Sequence, residues 1–188
     1  HISDVTGTDI SFNATGTVFK ITSTSTDLSV FSVRDLITVT GTTSNNKTFT
    51  VKTVTSSTEL VVEEIVTTET ADGSTTTTLD HTGFVTDKTK GDGYFSQPDG
   101  VHTVAYQVVN LGDSTDDFFG SIKMQGSLAT TPTEDDYFDI SGTTYTSDQS
   151  TTIASFNFTG NFVWVRAKIT TTNSSGNRSL VTSILLNN

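Results

Sequence analysis

The sequence predicts an all-β protein: a small N-terminal β-barrel or sandwich followed by a C-terminal β-sandwich or jelly-roll-like domain. Three observations predict it. Thr is the commonest residue, with abundant Ser, Gly, Val and Asp, whereas Ala, Leu, Gln and Met are scarce; that balance opposes helices and favours strands joined by tight turns. Phe, Val and Ile recur at regular intervals and largely alternate with Thr, as they do when one strand face is wet and the other dry. No segment carries three turns of helical periodicity, and no repeat of 20–50 residues is visible, which argues against solenoids and propellers. So Thr-rich a composition also suits a disordered chain, but the recurring apolar residues supply a core.

Taken in order, the first half reads as short strands between turns. Ile10–Phe12 and Thr17–Ile21 open it, and Leu28–Val33 is a further candidate. Leu36–Val39 alternates and stops at Gly41, and a turn follows at 43–47. Thr48–Val54 points Phe49 and Val51 to one face. Thr58–Val66 is the most apolar stretch, Ala71–Ser74 has the composition of a hairpin turn, and Thr75–Leu79 closes the unit. Residues 83–100 break the pattern with Gly83, Gly91, Gly93, Pro98 and Gly100. They read as a domain junction, giving domains 1–86 and 87–188; one continuous sandwich with an irregular crossover is the other reading.

Strands resume at Val101–Val109, then Phe118–Gln125 after a polar turn at 112–117, Asp136–Ile140 and Thr152–Phe158. Gly160-Asn161 makes a turn into Phe162–Ile169. There Phe162, Trp164 and Arg166 share one face and Val163, Val165 and Ala167 the other, a two-sided apolarity that marks a central strand. A turn at 173–177 leads to a final strand, Leu180–Leu186.

The formal charge is −11, with 4 basic and 10 acidic residues in 1–86 and 6 and 11 in 87–188. No run of Lys or Arg occurs along the chain, so neither nucleic acid nor an anionic membrane surface is an expected partner. No apolar run has the length of a membrane helix, and no signal peptide is visible. The chain begins at His1 rather than Met, as a processed product does, or a sequence that starts inside a longer one. It has no cysteine, which removes disulfides, thiolate metal sites and cysteine nucleophiles together.

Residues that carry chemistry are few and scattered. His1, His81 and His102 have no metal-ligand spacing. No Gly-x-Ser-x-Gly elbow accompanies the serines. The acidic runs Glu63-Glu64, Asp116-Asp117 and Glu134-Asp135-Asp136 are candidate carboxylate pairs for glycoside hydrolysis, with solvated turns as the default. Asp87, Asp92 and Asp99 flank the junction glycines and form the best cation candidate, though they match no EF-hand and Asp favours turns on its own account. The Asn-x-Ser/Thr triplets at Asn13, Asn46, Asn157, Asn173 and Asn177 are what a Thr-rich chain produces by chance. The expected catalytic, cofactor and metal sites are therefore none.

The chain holds 12 Phe but a single Trp. Adjacent aromatics on a strand point to opposite faces, so Tyr94-Phe95, Phe118-Phe119 and Tyr137-Phe138 each offer one ring to a second layer, a partner subunit or a sugar. A concave face lined by Tyr106, Trp164 or Tyr137 is what carbohydrate binding requires.

The stretch 119–129 (Phe-Gly-Ser-Ile-Lys-Met-Gln-Gly-Ser-Leu-Ala), with Thr131–Phe138, Phe158–Ala167 and the closing Ser183–Asn188, resembles a β-sandwich module in virion proteins of marine tailed bacteriophages, cyanophages especially. Leu36–Gly41, Lys47–Val51 and Glu59–Val62 resemble, more weakly, the small β domains that accompany phage tail and head proteins. The resemblance implies a structural component of the virion (tail, neck, fibre or capsid decoration) whose partners are other virion proteins and copies of itself. It carries over no catalytic residue and no cofactor. A carbohydrate-binding or adhesive module, with a glycan as partner, is the alternative. Either terminal strand has the character of one that adds to a neighbour's sheet.

Overall fold

The computed structural model describes residues 2–109, 119–147, 151–171 and 181–187. The chain is all-β, as the composition predicts, and among the described residues its only helical segments are two 3-10 turns, Asp92–Phe95 and Glu134–Asp136. It divides into two compact units, Ile2–Phe84 and Val85–Asn188.

The first unit holds β1 (Val5–Gly7), β2 (Ser11–Thr15), β3 (Val18–Thr22), β4 (Asp35–Thr40), β5 (Thr48–Ser56), β6 (Glu59–Val62) and most of β7 (Thr77–Val85). All pairings are antiparallel and follow the order β1-β7-β4-β5-β6-β3-β2. Strand β5 turns the corner. Its first residues pair with β4 and its later ones with β6, with register shifts between Val51 and Thr53 and between Val54 and Ser56. Such irregularities bend a strand and let one element serve two sheets. The layers close on one core, where Phe12, Ile21, Ile37, Phe49, Leu60 and Leu79 are essentially inaccessible. Phe12 stacks against Phe49 at a centroid distance of 6.2 Å.

Three expectations for this unit change. Leu28–Val33 is turn rather than strand: the Asp27 carboxylate accepts the Ser29 N–H and hydroxyl, Asp35 accepts the Ser32 N–H, and Arg34 has a φ of 76°. Leu28 and Phe31 are buried while Val30 and Val33 are exposed, a spacing of three that fits turns and not a strand. The apolar run from Leu60 ends as a strand at Val62, because the Glu64 carboxylate caps the Thr50 N–H (2.7 Å) and hydroxyl (2.8 Å), leaving Ile65 exposed and Val66 buried. The turn at 71–74 is an Asx turn, with Asp72 accepting the N–H groups of Ser74 and Thr75. The segments flanking it pair elsewhere, Glu69 with Phe12 and β7 with β1 and β4. The short β1 falls within the strand-like N-terminal stretch 1–12, ahead of the first strand expected at Ile10.

The second unit is a β-sandwich. One sheet contains β8 (Thr89–Lys90), β14 (Trp164–Thr171), β10 (Gly120–Ser127), β11 (Phe138–Asp139) and β12 (Tyr145–Thr146), with β14 between β8 and β10. The other has β9 (Val101–Val108) between β13 (Thr152–Thr159) and β15 (Val181–Asn187). Val104, Tyr106, Ile122, Met124, Val165 and Ile169 fill the space between them. The strand expected at Phe162 starts at Trp164. Phe162 lies in a turn, its N–H bonded to Gly160 O, and its ring enters the core rather than sharing a face with Trp164. A Cβ on Gly126 would meet that ring at 2.6 Å, so the glycine is what allows ring and backbone to touch. The turns expected at 112–117 and 173–177, with Asp116, Asp117, Phe118, Asn173 and Asn177, lie outside the described residues.

Candidate binding surface

His1 lies outside the described residues; His102, Asp92 and Asp99 serve the fold. His102 is fully buried, stacked on Phe158 at 5.0 Å, with Nε2 3.2 Å from Gly160 O and 3.6 Å from the Asp92 carboxylate. Asp92 accepts the Gly100 N–H at 2.9 Å and Asp99 the Gly160 N–H at 2.7 Å. Two of the three candidate cation ligands thus spend carboxylate oxygens on backbone donors: Asp92 within its own loop, as Asp favours in turns, and Asp99 on the turn that precedes Phe162. Asp87 instead lines a cleft of about 280 Å³ with Met124, Val165, Ile184 and Leu186. Among the described residues no three His, Asp or Glu side chains converge. His81, in the other unit, sits 3.4 Å from Asp35 with both side chains buried.

Glu63, Glu64, Glu134 and Asp136 are likewise committed to structure. Glu63 pairs with Lys52 at 3.0 Å and Glu64 caps β5. Glu134 holds Arg166 through two bonds of 2.7 Å, the bidentate geometry that makes Arg–carboxylate pairs strong. Asp136 closes a capping box with Thr133. Asn13, Asn46 and Asn157 hydrogen-bond neighbouring Thr residues.

The aromatic candidates separate by environment. Tyr106 is fully buried; its hydroxyl donates to Thr143 O at 2.9 Å, and burial pushes its pKa well above the usual phenol range. It belongs to the core. Tyr137 lies on the Arg166 guanidinium, 3.6 Å from ring centroid to Cζ, and burial raises its pKa too. Trp164 stays on the outward face of β14, where its indole N–H donates to Thr130 O at 3.1 Å.

Trp164 anchors a cluster that the sequence did not bring together. Tyr94 and Phe95, on the 3-10 turn, are 43% and 58% exposed. The Tyr94 ring meets Trp164 at 5.0 Å and 64°, and Phe95 at 5.2 Å and 72°, so the three rings form walls rather than a flat stack. Lys88 Nζ lies 4.7 Å from the Trp164 centroid, and Lys90 Nζ lies 4.1 Å from Tyr94 and 5.7 Å from Phe95. The cause is local: β8 pairs Lys90 with Trp164, and backbone bonds from Gly91 and Gly93 to Val163 and Phe162 set the 3-10 turn beside them. Alternation along 88–90 places both ammonium groups on the side that carries the indole.

A second exposed feature lies on the three-stranded sheet. Its outward face carries Val101, Ile153 and Leu185, at 65%, 67% and 65% exposure, among Thr103, Ser155 and Asn157. Strands β13 and β15 each pair with β9 alone among the described residues.

No protein-family model, curated protein or solved structure matches this chain, so its functional reading rests on its own residues.

Proposed function

We propose that the chain is a non-catalytic structural component of a bacteriophage virion, joined to copies of itself and to other virion proteins through protein–protein contacts. The observation that carries the assembly reading is the outward face of the β13-β9-β15 sheet, with its three exposed branched side chains and its two outer strands. Single exposed aliphatics are ordinary, but three on one small sheet, whose outer strands pair on one side alone among the described residues, suit docking of a second copy. The virion assignment adds the sequence resemblance of 119–138 and 158–167.

The geometry also bounds the contact. Eight-residue strands span roughly 27 Å and three of them roughly 14 Å, so the face offers on the order of 400 Å², about half of what each partner contributes to a standard interface. Assembly through this sheet therefore also uses a strand edge or adjoining surface. Light scattering coupled to size-exclusion chromatography tests the reading. A discrete oligomer is expected for the native sequence, and Ile153→Lys and Leu185→Lys should shift it toward monomer. A native chain that stays monomeric over the accessible concentration range, or an oligomer indifferent to both changes, overturns self-assembly through this sheet.

A further inference from the structure

In a chain of net charge −11, one sheet is free of charged side chains. Strands β9, β13 and β15 contain no Asp, Glu, Lys or Arg, although edge strands are ordinarily guarded by charge or Pro. The two outer strands differ in what lies beside them. Strand β15 borders the cleft of about 280 Å³, whose apolar lining is Met124, Val165 and Ala167 from the facing sheet and Ile184 and Leu186 from β15 itself. Its neighbour β9 contributes nothing to that lining, so the cleft lies along the edge of β15 that faces away from β9. The inward side chains Ile184 and Leu186 are only half-buried, and Leu185 on the outward face is 65% exposed. Among the described residues β15 pairs with β9 alone, in regular register from Ser183 to Asn187.

We propose that this edge takes β15 of a second copy, antiparallel about a two-fold axis at Leu185, to build one continuous sheet β13-β9-β15-β15-β9-β13. The inference rests on the self-assembly reading and specifies its contact. Opposed residues of antiparallel strands share a face, so the axis of a self-paired strand passes through a residue. With the axis at Leu185, the two Leu185 side chains meet on the outward face, and Ile184 of each copy meets Leu186 of the other on the inward face, over the cleft. An axis at Ile184 sets Leu186 against Thr182, in the irregular part of the strand, and one at Leu186 sets Leu185 against Asn187. Only Leu185 matches apolar with apolar throughout, which makes the strand its own complement. The cleft, at roughly twice the volume of a cavity that binds benzene, has room for the arriving aliphatic side chains. Joining the sheets also doubles the outward apolar face to on the order of 800 Å², the amount one partner brings to a standard interface. The chain's net charge repels copies at long range, so the sheet without charged side chains is where they approach at least electrostatic cost.

Cysteine pairing tests the register, since the native chain has no cysteine. Leu185→Cys sets two thiols across the axis, within reach of a disulfide. Ile153→Cys, similarly exposed on the same face, lies on β13 at the far side of the sheet. With oxidised glutathione, Leu185→Cys should form covalent dimer about tenfold or more faster than Ile153→Cys on non-reducing gels, because pairing raises the effective thiol concentration. Unchanged circular dichroism and melting show that each variant is folded. Hydrogen exchange of the native chain needs no variant: raising the protein concentration should slow amides within 183–187 more than those within 152–159. Light scattering should count an even number of chains. A monomeric native chain overturns the self-assembly reading and this inference with it. An oligomer with an odd number of chains, one in which Ile153→Cys cross-links as fast as Leu185→Cys, or one whose 183–187 amides ignore concentration overturns the edge pairing alone and leaves self-assembly standing.

Discussion

Replacing Asp9 by Asn should destabilise the first unit. One carboxylate there organises an entire turn: Asp9 accepts the backbone N–H groups of Thr24 (3.0 Å), Ser25 (2.6 Å) and Thr26 (3.1 Å) and the hydroxyls of the same three residues. Those bonds, led by the Thr26 hydroxyl, hold its pKa far below the ordinary aspartate value of 3.8. Asn can keep an oxygen where five of the six bonds are made, but it puts an NH₂ against the Thr26 hydroxyl and removes the charge that strengthens all of them. Hydrogen bonds to a charged acceptor contribute about 1.5–3 kcal/mol each when buried; discounted for the solvent around this turn, the net cost is about 2 kcal/mol. For a unit of this size that lowers the melting temperature by roughly 8–16 °C. The assay is urea denaturation of native and Asp9→Asn chains from pH 7 to pH 2.5. A depressed carboxylate stabilises fully above the unfolded value and less as pH falls toward the folded one. The difference between the two chains should therefore be constant from pH 7 to about pH 5 and shrink below pH 4. A difference under about 0.5 kcal/mol at neutral pH, or one that does not change in acid, would refute the role given to the carboxylate.

Three further outcomes follow from the geometry. Asp80 has a raised pKa, first from burial and then from the Asp4 carboxylate beside it. A raised carboxylate costs stability above its folded pKa, so Asp80→Asn should raise the melting temperature at pH 7 and lose that advantage in acid, by thermal melts across pH. Glu134→Gln leaves the buried Arg166 guanidinium without its bidentate partner and should cost about 2–3 kcal/mol by chemical denaturation, less than a fully buried pair because Gln125 and Tyr137 remain. Gly126→Val forces a branched side chain against the Phe162 ring and should cost about 2–3 kcal/mol in the same assay, whereas Gly73→Ala, with open space around it, should cost less despite its φ of 75°.

The amino-acid sequence by itself determined that this chain is built of strands and where most of them lie. Thr alternating with Phe, Val and Ile is a local property, and β9 and β13 could be read from it because each has one wet face; β4 and β5 were legible from the same alternation although Leu36 and Ile37, and Phe49 to Val51, are buried on both faces. Where the signal failed, a side chain had taken over the backbone's hydrogen bonds. Asp27 and Asp35 turn Leu28–Val33 out of extended geometry, and Glu64 stops β6 at Val62. Such capping depends on which donor comes within reach, and a linear pattern does not carry that distance.

The tertiary structure alone decided what the scattered polar and aromatic residues do. In the sequence Asp92 and Asp99 are the best cation candidates beside a default of turn chemistry, and the N–H groups of Gly100 and Gly160 set against them decide for ties to the backbone. Tyr106, Tyr137 and Trp164 are all aromatics with one polar atom, yet one is core, one covers an arginine and one lines a surface. The linear spacing of Lys88, Lys90, Lys123, Arg166 and Lys168 suggested no basic cluster. Antiparallel register brings together residues far apart in the chain, and the strict alternation of strand side chains puts all of them on one face.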